Sequence, residues 1–115
     1  MTTSSAHAVA VRFTLYCGPQ LPPAVAARRV ARALGRTLES RTSSLRGPYY
    51  RWTGSGAADV LVQANVPDDD GVRIEPECPA HAALVYATGL DEADYQALAA
   101  VEGLRLLDSD VLLVA

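Results

Sequence analysis

The sequence predicts an α+β fold: a ferredoxin-like split β-α-β sandwich, with a mainly antiparallel sheet and two helices on one face. Three observations predict it. Half of the 115 residues are hydrophobic, enough for one core without staples. Short runs of apolar residues alternate with period two, as half-buried strands do. Two longer stretches carry period 3.6 instead, and they fall in the order strand, helix, two or three strands, helix, one or two strands. The expectation is one domain over residues 1–115, with a flexible start over 1–7.

Taken in order, residues 8–17 alternate and place Val9, Val11, Phe13 and Leu15 on one face. Gly18-Pro19 ends the run. Pro22-Pro23 opens a helix, because the first turn has no intrahelical N–H bond for proline to remove. The pattern carries this helix to about Ser40, burying Ala27, Val30, Ala31, Leu34 and Leu38 and turning Arg28, Arg32 and Arg36 outward. Residues 40–47 read as loop. Tyr49 to Thr53 reads as a short strand, Gly54-Ser55-Gly56 as a hairpin turn, and Asp59 to Val66 as the next strand. Pro67 to Gly71 is an acidic turn, Val72 to Glu75 a brief strand, and Glu77 to His81 irregular. Ala82 to Thr88 is an apolar strand closed by Gly89. A second helix begins near Asp91, where Asp91, Glu92 and Asp94 suit the positive end of the helix dipole. Leu98 and Val101 face inward and Gly103 stops it. Residues 104–107 and 111–114 form either one bulged strand or a hairpin around Asp108-Ser109-Asp110. With both helices on one face, the other face of the sheet is open to bind.

Charge is distributed unevenly. All ten basic residues are arginine, and eight of them lie in residues 1–51 against one acid; residues 52–115 hold two against twelve. That asymmetry either ties two halves of the fold together or presents an acidic face to a basic partner. No run approaches the roughly 18 apolar residues of a membrane helix, and the N-terminus lacks a basic leader. The expected location is therefore cytoplasmic, with Cys17 and Cys78 as free thiols.

Few residues suggest chemistry. The histidines are His7 and His81, and a Cys17–His81 pair is geometrically open but not demanded by spacing. Asp68-Asp69-Asp70 lacks the alternating spacing of a calcium loop, and zinc spacing is absent. Gly54-Ser55-Gly56 precedes a strand and opens no helix, unlike a dinucleotide fingerprint. No catalytic residue, metal or cofactor is expected. Arg46-Gly47-Pro48-Tyr49-Tyr50-Arg51-Trp52 combines arginine and aromatics, which suits base stacking or a protein interface. An anionic chain disfavours nucleic acid. Alternation sends Tyr50 and Trp52 to one side and Tyr49 and Arg51 to the other.

Glu39-Ser40-Arg41, Ser43-Ser44, Arg46-Gly47, Tyr49-Tyr50, Val62-Gln63, Asn65, Asp68-Asp69-Asp70-Gly71, Glu75-Pro76-Glu77, Pro79, Leu84-Val85-Tyr86 and Gly89 carry a resemblance. Over residues 39–89, less than half the chain, the sequence resembles small bacterial immunity-type proteins encoded beside polymorphic toxins. The resemblance implies an inhibitor that binds one cognate toxin and occludes it without chemistry. Tyr49, Tyr50 and Trp52 are then the expected anchors. Asp68, Asp69, Asp70, Glu75 and Glu77 form an acidic rim that speeds capture of a basic toxin. The alternative is a ferredoxin-like regulatory or small-ligand-binding domain acting as a homodimer.

Overall fold

The alternating first run folds as β1 (Val9–Gly18), with Tyr16 packed into the helix layer and Phe13, Leu15 and Cys17 on the opposite face. The computed structural model describes residues 9–44 and 47–114. His7, the expected flexible start and Arg46 lie outside the described residues. After β1 come α1 (Pro23–Leu34), β2 (Glu39–Ser43), β3 (Gly47–Thr53), β4 (Asp59–Ala64), β5 (Ala83–Thr88), α2 (Glu92–Ala99) and β6 (Arg105–Val114). The strands form one six-stranded sheet in the order β2-β3-β4-β5-β1-β6, and every neighbouring pair is antiparallel. The fold is α+β, as predicted. Its strand count and order differ from the four-stranded ferredoxin-like sandwich, because β2 and β3 extend one edge.

Both helices pack on one face. Ala26, Ala27, Val30 and Leu34 of α1 and Tyr95 and Leu98 of α2 share a core with Val60, Val62, Ala83, Val85 and Ala87 of the sheet. α1 ends six residues earlier than the apolar period suggested. Gly35 takes the left-handed conformation (φ 64°), and the N–H groups of Gly35 and Arg36 donate to the carbonyls of Arg32 and Ala31 at 3.3 and 3.1 Å. This glycine cap stops the helix while Leu38 still reaches the core from outside it. Residues expected to finish the helix and begin a loop form β2 instead. Val72 to Glu75 forms no strand, and residues 105–114 form one strand with a bulge at its pairing with Leu15 and Tyr16. α2 starts as predicted, with the Asp91 carboxylate accepting the Asp94 N–H at 2.9 Å.

The cysteines correct the free-thiol expectation. Cys17, at the end of β1, and Cys78, in the segment between β4 and β5, form a disulfide with Cα atoms 5.9 Å apart. Both are buried beside Leu15, Ala82 and Leu84. Asn65 ties the same segment. Its fully buried Nδ2 shares two hydrogens among the carbonyls of Glu75, Cys78 and Pro79 at 2.9, 2.8 and 3.2 Å, and its Oδ1 accepts the Glu75 N–H at 3.0 Å. Residues 65–82 are thereby held as a fixed cover on one end of the second face.

The bridge closes 61 residues of chain, so replacing Cys17 and Cys78 together by alanine should cost roughly 4 kcal/mol in chemical denaturation, by the loop-entropy relation. A second expectation concerns Tyr95, whose hydroxyl donates to the Arg12 carbonyl at 2.6 Å. Burial raises its pKa above the ordinary 10.0. The raised value favours the neutral phenol in the folded state, so its contribution is fully present below about pH 10 and is lost as pH climbs through the folded value. Tyr95→Phe should remove that alkaline decline from a stability–pH profile.

Candidate functional site

The sheet face opposite the helices is the candidate site. Cross-strand register aligns its side chains in rows. Arg51 lies opposite Leu61, Leu61 opposite Tyr86, Tyr86 opposite Leu15, and Leu15 opposite Asp108. A second row runs Tyr49, Gln63, Leu84, Cys17, Arg105, and a third Asp59, Thr88, Phe13, Asp110. Cys17 and Leu84 lie in the core beneath the 65–82 cover. Beyond the cover, Tyr49, Leu61, Tyr86 and Phe13 are half-buried, and the Phe13 and Tyr86 rings sit 6.4 Å apart. This leaves an aromatic and aliphatic strip across four strands with charges around it.

The charges divide into spent and unspent groups. Arg51 grips Asp59 through Nε at 2.9 Å and Nη2 at 3.3 Å, and that hydrogen bond and charge hold the guanidinium above its usual range. Arg12 pairs with Glu92 and lies over the Tyr95 ring, while Arg36 pairs with Asp94 and lies over Trp52. Three arginines of the basic half thus meet acids of the acidic half. Asp68, Asp69, Asp70, Glu75, Glu77, Asp108 and Asp110 have no salt bridge among the described residues.

The predicted site residues separate. Tyr49 lies on the open face. Tyr50 and Trp52 lie on the helix face and pack against the core, so they are packing residues and not the exposed anchors expected. The Trp52 ring lies over Gly54, where an added Cβ would come within 2.5 Å of it. Arg36, expected on the outer helix row, lies beyond the end of α1 and is half-buried between Trp52, Asp94 and the Leu34 carbonyl. Asp68 builds its own turn, its Oδ1 accepting the N–H groups of Asp70 and Val72, both at 2.9 Å. Asp69 and Asp70 are exposed on that turn. Glu75 gives its N–H to Asn65, and the exposed Glu77 lies toward β6, where its carbonyl accepts from Arg105 at 3.0 Å. The acidic set therefore lies on the cover itself, at two places.

Sequence reasoning missed Phe13, Leu61, Tyr86, Asp59, Asp108 and Asp110 as members of this surface. Alternation was a usable signal within each strand, grouping Phe13 with Leu15, Leu61 with Gln63 and Tyr86 with Leu84, but only Leu61 lies on a strand next to β3, where the register sets it opposite Arg51. A Cys17 nucleophile is ruled out by the disulfide, and His81 is exposed with φ 66°. Among the described residues no three histidine, cysteine or acidic side chains are grouped to hold a metal ion, and no helix is long and apolar enough to cross a membrane. Comparison with family models, curated proteins and solved structures returns no match for this chain.

Two substitutions separate the faces. Trp52→Ala should cost about 3 kcal/mol of stability by vacating the core against Arg36 and Gly54, whereas Tyr49→Ala should cost under about 1 kcal/mol, both read from denaturant midpoints.

Proposed function

We propose that the chain is an immunity-type protein that binds one protein toxin through the open face of its sheet and neutralises it by occlusion, without bond-making of its own. The observation that carries this reading is the strip of Tyr49, Leu61, Tyr86 and Phe13 with unpaired acids on both sides. Aromatic side chains on a rigid sheet bury large areas at low entropic cost, and such anchors dominate tight interfaces. A stable complex needs about 800 Å² per partner. The acids at the cover and along β6 steer a basic partner toward the strip.

The disulfide bears on where this happens. Buried disulfides persist in oxidising compartments and are rare in the cytosol. The proposed site of neutralisation is an oxidising compartment, in place of the cytoplasm expected from the sequence.

A specific feature favours the homodimer as a second reading. β1 pairs with β6 over Val9 to Cys17 but with β5 only from Phe13, so the strand ends project as a two-stranded ribbon. That ribbon exposes Val9, Val111, Leu112 and Leu113, the last at 76%. Edge strands with exposed apolar side chains are templates for pairing with another chain. Sedimentation of the purified chain separates the readings: the immunity reading expects a free monomer that becomes a one-to-one complex with the toxin domain encoded beside it. Tyr49→Ala should weaken that complex by about 2 kcal/mol or more while leaving the fold intact. Equal affinity in Tyr49→Ala, Leu61→Ala and Tyr86→Ala would reject this face as the docking surface.

A further inference from the structure

The sheet ends on two edge strands of opposite character. β2 is polar throughout, and its Glu39 and Arg41 pair with each other, which is the usual protection of an edge. β6, the other edge, is ten residues long and exposes Val111, Leu112 and Leu113 at 58%, 43% and 76%. The ladder decides which backbone groups this edge offers. The Gly89 N–H donates to the Arg12 carbonyl at 3.0 Å, so Arg12 turns its backbone groups toward the β5 side. Backbone direction alternates along a strand, so Val11 and Phe13 turn theirs toward β6, where they meet Leu112 and Asp110. Ser109, Val111 and Leu113 therefore point their N–H and C=O groups outward, away from β1. One of these donors is already engaged: the Asp110 carboxylate accepts the Val111 N–H at 2.8 Å.

A second copy fits this edge, because a strand can pair antiparallel with itself about a two-fold axis. A continuous sheet sets residues of the same face opposite one another, so the axis passes through a residue. Registers centred on Asp108, Ser109 or Asp110 set acid directly opposite acid, which is destabilising. A register centred on Val111 sets Leu112 opposite Asp110. Toward Leu106 the bulge interrupts the alternation, and beyond Leu112 the strand runs out. A register centred on Leu112 sets Leu112 opposite itself on the open face and Val111 opposite Leu113 on the helix face. It also joins Val111 and Leu113 by exchanged N–H···O bonds, since both point outward. We infer that β6 is a self-pairing edge on which a second copy adds its own β6, antiparallel and centred on Leu112, and that the Asp110 carboxylate holds the edge shut by occupying the Val111 N–H. The strand pair is small beside the about 800 Å² per partner of a stable interface, so one occupied donor and its charge decide it. The unaltered chain is then monomeric at micromolar concentration and pairs only near millimolar. Pairing at β6 leaves the strip across β1, β3, β4 and β5 uncovered, so the inference is independent of toxin docking. It deepens the homodimer reading, on which it rests, by naming the contact and the group that controls it.

The test is sedimentation equilibrium of the intact, oxidised chain from micromolar to millimolar concentration. Asp110→Ala should raise the association constant at least tenfold over the unaltered chain. Asp69→Ala removes the same charge from the acidic turn, away from the edge, and should leave association unchanged. Val111→Pro removes an outward N–H that β1 does not use, so adding it to Asp110→Ala should restore the monomer. The register is read with charges. In the Asp110→Ala background, Leu112→Lys and Leu112→Glu each set like charges opposite each other and should be monomeric alone. Their equimolar mixture should form a one-to-one dimer, which also shows that both variants are folded. An Asp69→Ala chain that associates as strongly as Asp110→Ala would overturn the gate. A dimer that survives in Leu112→Lys and Leu112→Glu alone would overturn this contact and leave the homodimer reading to another surface. An Asp110→Ala chain that stays monomeric at millimolar concentration would overturn self-pairing and the homodimer reading together, leaving the edge to a strand of another protein.

Discussion

The side-chain amide of Asn65 holds the carbonyls of Glu75, Cys78 and Pro79 and the N–H of Glu75 from a fully buried position. Its own backbone closes the same segment, donating to Ala82 and accepting from His81, each at 2.8 Å. With the Cys17–Cys78 bridge, these bonds fix 65–82 against the second face of the sheet. Without them, the 18 residues joining two adjacent strands would be a long irregular loop with a large entropy to lose on binding. The tie converts that loop into a preformed wall. The acidic turn and the limits of the aromatic strip both follow from where the wall stands.

The two faces then have different tasks. The helix face is closed by α1 and α2, and Glu92 and Asp94 hold Arg12 and Arg36 at its margins, while Asp59 pairs with Arg51 on the open face. Most of these pairs are exposed and contribute modestly to stability. Their larger effect is on what is left. Pairing consumes cations, so the groups left without salt bridges around the open face are mostly acids. The charge asymmetry of the sequence therefore does both things a reader of the sequence would weigh: it joins the halves and leaves one surface acidic.

Much of the fold was legible. Alternation identified β1, strand-forming runs between turn signals identified β3 and β4, and an apolar run identified β5; within β3, alternation assigned Tyr50 and Trp52 to one side and Tyr49 to the other, because a half-buried strand repeats every two residues. The end of α1 was obscured because Leu34 and Leu38 continue the helical period while Gly35 breaks the backbone between them. β2 was illegible because Glu39-Ser-Arg-Thr-Ser is a polar edge strand with no face buried enough to impose a pattern. The disulfide joins cysteines 61 positions apart in no recognisable framework, and only the crossing of β1 with the cover brings them together. The site was half legible for a related reason. Tyr49 and the acidic turn are local in sequence, but the strip unites β1, β3, β4 and β5.

Backbone hydrogen exchange at Glu75, Cys78 and His81 tests the central claim most directly. Their N–H groups donate to Asn65 Oδ1, the Glu75 carbonyl and the Asn65 carbonyl at 3.0, 3.0 and 2.8 Å. In the oxidised chain all three should exchange slowly, close to the rate of the sheet, and Asn65→Ala should release them while β4 and β5 stay protected. Free exchange at these three positions in the unaltered chain would contradict a fixed cover, and with it the preformed surface.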